Sequence, residues 1–339
     1  MNSRERVLAA VNHQQTDRVP RNFWAEPAAW NRLFEFLKHQ NKQQLLDYLD
    51  IDIRVLESVS PPEKEIGNGI FQNFWGERYV YRQTAWGLMR EDLAGALAEA
   101  QTFEEIASFD FPNPESFDYS GFAAQLRQYE GRAILYGFAD IWQRPSLVRG
   151  MSNMFIDMGI HSEWAHFLSR KFTDFYKKEY ANAMEAANGK IDLFLLISDL
   201  GTQRGPMISK KMFAEFVAPY IKEMCDCIHS LGAKVLYHSC GNIRPFITGL
   251  IDAGVDILDP IQPVAEMQPE QLKAEYGGQL CFHGGIDMQR ILPLDTPEEV
   301  RAESQRYQKI LGQDGGYILA PAHLFQPDVP PENILAVYR

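Results

Sequence analysis

Apolar and polar positions along the second half of the chain switch repeatedly between two periods, which predicts strands and helices in alternation. Residues 191–197 form a near-continuous apolar run of strand length, the pattern of a strand covered on both faces. Beyond it, Phe213, Phe216, Val217, Tyr220, Ile221, Met224 and Ile228 recur at three- and four-residue intervals. That spacing predicts a long helix with Ser209 as N-cap and Gly232 as its stop. Next come a strand over 234–238, a short helix over 244–253, a strand over 255–258 and a helix over 269–276 with Pro269 at its first position. A strand over 279–283, a helix over 296–311 opened by Thr296 and closed by Gly312, and a last strand over 317–320 complete the series. Successive βα units imply parallel strands with right-handed crossovers, and this many of them favour an α/β fold of the closed (β/α)8 TIM-barrel type.

The first half is less regular. Asn2 or Ser3 caps a helix running to about His13, and Asp17-Arg18-Val19-Pro20 leads into Asn22-Phe23-Trp24, a candidate first strand. Scattered aromatics, prolines and glycines over residues 53–117 read as hairpins and loops inserted over the barrel mouth. Residues 132–138 are strand-like again, and 147–187 hold two helices. The expected organisation is one barrel domain over residues 1–339, with no internal repeat.

Composition narrows the classes. A chain of 339 residues with 45% hydrophobic and 23% charged side chains is an ordinary globular protein. Its 45 acidic against 33 basic residues give a formal charge of -12, which disfavours nucleic acid and anionic membrane surfaces as partners. No stretch has the length of a signal peptide core or a bilayer span, so a cytoplasmic location is expected. Cysteine usage agrees: Cys225, Cys227, Cys240 and Cys281 make no disulfide framework. Cys225 and Cys227, two apart on a helix, project to different faces.

Candidate chemistry gathers at strand ends. In an extended chain the side chains of His238 and Cys240, two apart, point the same way, and Gly241-Asn242 end their strand where α/β proteins usually place chemistry. They can reach one metal ion; equally, they can be a packed histidine and a buried thiol. Asp199, Asp259, Gln262, His283, Asp287 and His323 also fall at strand ends, on what would be a common rim. Two imidazoles and a thiolate from His238, Cys240 and His323 suit zinc, with the fourth place open or held by a carboxylate.

Six motifs stand out along the chain: Asp17-Arg18-Val19-Pro20, Asp199-Leu200-Gly201-Thr202-Gln203 with Gly205-Pro206-Met207-Ile208-Ser209, His238-Ser239-Cys240-Gly241, Gly254-Val255-Asp256-Ile257-Leu258, Gly284-Gly285-Ile286-Asp287 and Pro330-Pro331-Glu332-Asn333-Ile334. In these, and over nearly its full length, the chain resembles the uroporphyrinogen decarboxylase superfamily of (β/α) barrels. The superfamily includes the decarboxylase of haem synthesis and zinc methyltransferases linked to corrinoids. Where the decarboxylase would carry an arginine-rich loop, this chain reads Asn22-Phe23-Trp24-Ala25-Glu26-Pro27, and Glu26 would repel a polycarboxylate. The methyltransferase branch is similar in its His-x-Cys, met here by His238-Ser239-Cys240, while His323 stands where that branch would carry a second cysteine.

The resemblance implies methyl transfer between a corrinoid (methylcobalamin) and a thiol or other small molecule at a zinc site, including O-demethylation of methoxylated compounds. It implies His238, Cys240 and His323 as ligands and a small-molecule substrate, with the corrinoid as co-substrate or on a carrier protein; a homodimer stays open. Asp199 and His283 are candidates for acid-base work or ligand orientation. Trp24, Trp142, Gln203 and Asp287 are candidates for the substrate pocket, with Trp75 and Trp86 added by the insert. Two other classes stay open: a metal-independent decarboxylase, for which Asp199 matters and Cys240 does not, and a non-catalytic tetrapyrrole- or corrinoid-binding protein.

Overall fold

The structure is a computed structural model that describes residues 1–38, 41–84 and 87–339. Seven parallel strands, Ile53–Val55, Ala133–Asp140, Leu193–Ile197, Lys234–His238, Ile257–Asp259, Cys281–His283 and Tyr317–Ile318, pair in chain order into one curled sheet. The segment around Arg21 closes it. Leu319 donates to the Pro20 carbonyl and Asn22 donates to the Leu319 carbonyl, while Asp52 donates to the Arg21 carbonyl, at 2.8–2.9 Å. Parallel bridges at Arg21–Leu319 and Ala25–Phe325 flank the predicted first strand, which is therefore two points of pairing rather than a continuous ladder. The eighth position of the barrel is thus filled, and the fold is the expected TIM-barrel type.

Side-chain alternation divides the core in two. Ile53, Leu135, Leu193, Leu195, Leu236 and Ile257 point inward with Cys281 and Ile318 and fill the barrel, while their neighbours pack outward against the helices. Helix Ser3–Val11, opened by a capping box between Asn2 and Glu5, adds Val7 and Val11 to the inner cluster. Its Arg4 donates to the Gly131 carbonyl and its Ala10 carbonyl accepts from Gly316, both just ahead of barrel strands. It therefore closes the N-terminal end and leaves the C-terminal end as the mouth.

Several boundaries depart from expectation. Ile53–Val55, placed by the sequence reading inside the inserted region, is a barrel strand paired with Ala133–Leu135. The rest of the insert forms a four-stranded antiparallel sheet over Lys64–Gly67, Ile70–Gln72, Arg78–Thr84 and Gly87–Ala94. The stretch read as two helices holds Met151–Ile160 and Ser162–Ala186, and a short helix, Gln143–Arg149, precedes them and ends inside its start. The helix capped by Ser209 is interrupted by a π-turn over Phe213–Val217 before continuing as Ala218–Ser230. Among the described residues no helix is long and apolar enough to cross a membrane.

One glycine shapes the mouth. The pairing of Ala133–Asp140 with Leu193–Ile197 shifts register between Tyr136 and Ala139, and Gly137 inside that bulge has φ +94°. The bulge turns Phe138 outward, 65% exposed, although its strand is central. A Cβ on Gly137 would lie 2.4–2.6 Å from the Tyr180 ring and hydroxyl. That hydroxyl is itself bonded to the Ala139 N–H and the Leu195 carbonyl. Gly137→Ala is expected to lower the stability by about 2–4 kcal/mol, combining positive φ with displacement of a buried, hydrogen-bonded tyrosine. Urea midpoints of the two proteins measure it; an unchanged midpoint would show that the bulge tolerates a side chain.

Candidate metal centre and cavity

Strand pairing brings the first two site residues together. His238 is the last residue of its strand and sits in register with Asp259, the last residue of the next. Its Nδ1 lies 2.5 Å from Asp259 Oδ2, so its Nε2 faces the mouth, 3.6 Å from Cys240 Sγ. The His323 ring packs edge-on against it with centroids 5.2 Å apart. One donor atom from each of His238, Cys240 and His323 lies within 4.8 Å of the others, the one such group among the described residues. Zinc bonds of about 2.0–2.3 Å in tetrahedral geometry set donor separations of roughly 3.3–3.7 Å. The His238–Cys240 distance already meets that, and a small movement of His323 completes the set, so the residues fit the ion.

The surroundings hold these donors in place. Asp199 Oδ1 accepts from the Cys240 N–H at 2.9 Å and lies 3.8 Å from His238 Nε2. Gln262 accepts from the Gly241 N–H at 2.8 Å, and its amide reaches the Ala322 carbonyl and Cys240 Sγ at 3.4 and 3.6 Å. One side chain thus ties the Cys240 turn to the His323 turn. Below them Asp259, fully buried, takes His283 Nδ1 on its other oxygen. The chain of bonds continues to Asn22, whose Nδ2 lies 3.0 Å from His283 Nε2 and whose Oδ1 accepts from the Phe23 N–H. Because Oδ1 is taken by that N–H, Nδ2 faces His283, whose Nε2 must accept and whose Nδ1 must donate to Asp259.

Charge follows from this arrangement. Burial disfavours the charged forms of all three groups, yet mutual attraction wins. Asp259 is held below the usual carboxylate range by the two histidines, and His238 well above the usual imidazole range by Asp259. The Cys240 thiol is lowered by hydrogen bonds from His238 and His323 against the opposing effect of burial. A metal ion taken up here would displace the protons of these donors, since imidazole binds in its neutral form and sulfur as the thiolate.

The other predicted residues are placed differently. His283 is fully buried, hydrogen-bonded between Asp259 and Asn22. Trp24 packs on His283 with ring centroids 5.0 Å apart and lines a cavity at the mouth. Trp142 does not line it, being 1% exposed in the core against Phe155. Gln203 is exposed in the turn that joins the paired strands Gly201–Thr202 and Gly205–Pro206, and Asp287 accepts from the Gln289 N–H at 2.7 Å as a loop cap. Trp75 borders the cavity while stacked on Phe172; Trp86 lies outside the described residues. Cys225 and Cys281 are buried thiols whose ionisation burial pushes up, without a site around them.

That cavity, of about 650 Å³, takes Trp24 and Trp75 of the expected pocket residues and leaves out Trp142, Gln203 and Asp287. It sits beside the metal group rather than around it: Asn22, Trp24 and Leu324 line it, and these touch or adjoin His283 and His323. On its far wall Glu179, from the middle of Ser162–Ala186, receives the Tyr136 and Tyr119 hydroxyls. Burial pushes its carboxyl up to about 7 against the pull of those two bonds. Asp140, at the end of the bulged strand, is likewise pushed by burial, against the nearby Arg144, to about 6.

Comparison with known proteins agrees with the barrel. The profile of the uroporphyrinogen decarboxylase (URO-D) family matches residues 98–339. A solved methyltransferase from Methanosarcina mazei superposes with TM-score 0.71 at 15% identity, covering 99% of this chain and 97% of that one. At that identity the likeness establishes the fold. A D-psicose 3-epimerase solved in the presence of D-fructose matches 61% of this chain and 71% of its own at 12% identity, but with TM-score 0.34 it carries no argument. No curated protein matches by sequence.

Glu179 gives the site a pH signature. The folded protein keeps its proton up to about pH 7, whereas the unfolded chain releases it near the ordinary value of 4.5. Between these values unfolding releases a proton, so stability falls as pH rises, by about 3 kcal/mol at most. Glu179→Gln is expected to remove this slope, seen as a smaller difference between urea midpoints at pH 5 and pH 8. Parallel profiles for the two proteins would show that the group ionises normally.

Proposed function

Because the chain belongs to the uroporphyrinogen decarboxylase (URO-D) family, we propose that it is a cytoplasmic methyltransferase working at a zinc ion held by His238, Cys240 and His323 across the barrel mouth. The observation that carries this reading is the convergence of those three donors, from two different strand ends, upon one point that a buried carboxylate orients. Bound there, zinc would lower the pKa of a coordinated thiol, or draw charge from a methoxyl oxygen, in methyl exchange with a corrinoid.

The chain's own residues supply the rest. Asp259 fixes the His238 tautomer by accepting from Nδ1–H and leaves Nε2 as the donor to the ion. Gln262 sets the gap between the Cys240 and His323 turns. Asp199, 3.8 Å from His238 Nε2, can fill a fourth place or hold the proton that a thiol or phenol exchanges during transfer. The cavity has the volume of a small-molecule site, so the small methyl donor or acceptor sits inside while the corrinoid, free or on a carrier protein, meets it at the mouth. A porphyrinogen substrate would call for unpaired cations, yet Arg54, Arg90 and Arg144 on the cavity wall are already paired with Asp47, Asp92 and Glu77. That disfavours decarboxylation of a polycarboxylate.

Metal content decides the reading. About one zinc per chain is expected by inductively coupled plasma mass spectrometry. His238→Ala, Cys240→Ser and His323→Ala are each expected to lose it, together with demethylation of methylcobalamin in the presence of thiols or of methyl transfer from methoxylated aromatics. Gln262→Ala is expected to retain zinc with on the order of tenfold weaker affinity. Full methyl transfer by the Cys240→Ser protein without bound metal would overturn the proposal.

A further inference from the structure

We infer that Gly87–Ala94, the outer strand of the antiparallel insert, joins two copies of this chain by pairing with itself, antiparallel, about a two-fold axis that passes at Glu91. Such a pairing involves neither the metal group nor the methyl-transfer reading.

The edge is open. Gly87–Ala94 is eight residues long, and among the described residues its one strand neighbour is Arg78–Thr84. Leu88 through Leu93 are all exposed, and three of them are large and apolar, Leu88 at 65%, Met89 at 54% and Leu93 at 47%. A long apolar edge is a template for another strand. Two residues separate Thr84 from Gly87, so that pair exchanges both of its backbone hydrogen bonds, and such pairs then alternate along the ladder. Met89 and Glu91 therefore bond to Arg82 and Val80. Leu88, Arg90 and Asp92 turn their N–H and C=O groups to the open side, where no described residue meets them. A bulge at Leu93, where Asp92 faces Tyr79 and Ala94 faces Arg78, ends the regular edge.

Symmetry and charge select the occupant and the register. When two copies of one strand pair antiparallel about a two-fold axis, one residue faces its own copy and the residues on either side of it face each other. Nearly full overlap of this strand puts Arg90 or Glu91 on the axis. With Arg90 there, two guanidinium groups meet and Leu88 faces Asp92. With Glu91 there, Arg90 faces Asp92 of the second copy on both sides of the axis, Met89 comes beside Leu93, and Leu88 beside Ala94. The Arg90 and Asp92 backbones then exchange the hydrogen bonds that each lacks. Within one chain Arg90 already lies over the Tyr79 ring, 3.9 Å from its centroid, and donates to Asp92 at 2.6 Å, so pairing closes a ring of four charges that alternate in sign. The two Glu91 carboxylates are like charges, but each receives Arg82 of its own chain at 2.7 Å. An edge that matches itself in backbone donors, charge and apolar side chains at one register points to a second copy as its partner.

One ladder makes a small interface, so the association is expected to be reversible and in the micromolar range. Sedimentation equilibrium of the full chain at about 1–100 μM should show monomer and dimer exchanging. Met89→Lys combined with Leu93→Lys, both at exposed positions and therefore with an unchanged circular dichroism spectrum, should weaken the dimer by on the order of tenfold or more. Air oxidation of the Glu91→Cys protein should give a covalent dimer on a non-reducing gel, since Cα atoms in a pair of this kind lie about 4.5 Å apart, within reach of a disulfide. Met89→Cys should not cross-link, its own copy lying roughly 14 Å away along the strands, and neither should the wild-type protein with its four cysteines. A monomer over the whole concentration range, cross-linking by Met89→Cys as readily as by Glu91→Cys, or a dimer that the two lysines leave intact would each overturn the inference.

Discussion

Barrel closure is the constraint on which the site depends, and it rests on very little chain. A parallel sheet of seven strands has two edges, and here residues around Arg21 lie between them, bonded to Leu319 on one side and Asp52 on the other. Charge reinforces so short a seam. Fully buried Asp52 receives Arg6, Arg18 and the Arg21 N–H, while Asp17 receives Arg6 from outside. The Asp17-Arg18-Val19-Pro20 motif is therefore a closing device at the base of the barrel. Its consequence appears at the mouth, because the same segment ends in Asn22 and Trp24, which fix and cover His283.

From there a single line of hydrogen bonds crosses the interior. The Phe23 N–H orients Asn22, Asn22 sets the His283 tautomer, and His283 and His238 share the two oxygens of Asp259. A carboxylate with no solvent exposure is tolerable only when both oxygens are satisfied, so Asp259 and the histidines stand or fall together. Such a network earns rigidity more than stability. It presents His238 Nε2 to the mouth in one tautomer and one direction, which is what a metal ligand requires and what a loop histidine rarely achieves.

Much of this could be read from the chain, and the parts that could not share a cause. The second-half elements were legible because each strand is a compact apolar run bounded by glycine or a cap, and the His-x-Cys pair needed only the period of a strand. Ile53–Val55 escaped because Arg54, facing outward to Asp47, breaks the apolar run of a three-residue strand. Asp259 was visible as a strand-end carboxylate, but its role depends on register with His238, which is a property of pairing rather than of local sequence. Glu179 gave no local signal at all. It lies mid-helix among aromatic and charged residues, and only the packing of Ser162–Ala186 against the bulged strand makes it buried and gives it Tyr136 as a partner. Trp142 misled because tryptophans that flank a mouth and tryptophans that fill a core look alike in sequence.

The two halves of the mouth are built under different rules, and this bears on how such a barrel can change its substrate. On the metal side the donors follow barrel strands, Asp259 is shared between His238 and His283, and Gln262 and Asn22 are each fixed by a backbone N–H. A change to any one leaves a buried group unsatisfied, at a cost of about 1–3 kcal/mol for a neutral partner and more for Asp259. On the cavity side the walls come from the antiparallel insert, the bulge and a helix flank, and several of them, Phe138 foremost, support nothing else. Those side chains can be exchanged without disturbing the barrel or the metal group. The reaction is therefore bound to the part of the molecule that resists substitution, and the choice of ligand to the part that tolerates it.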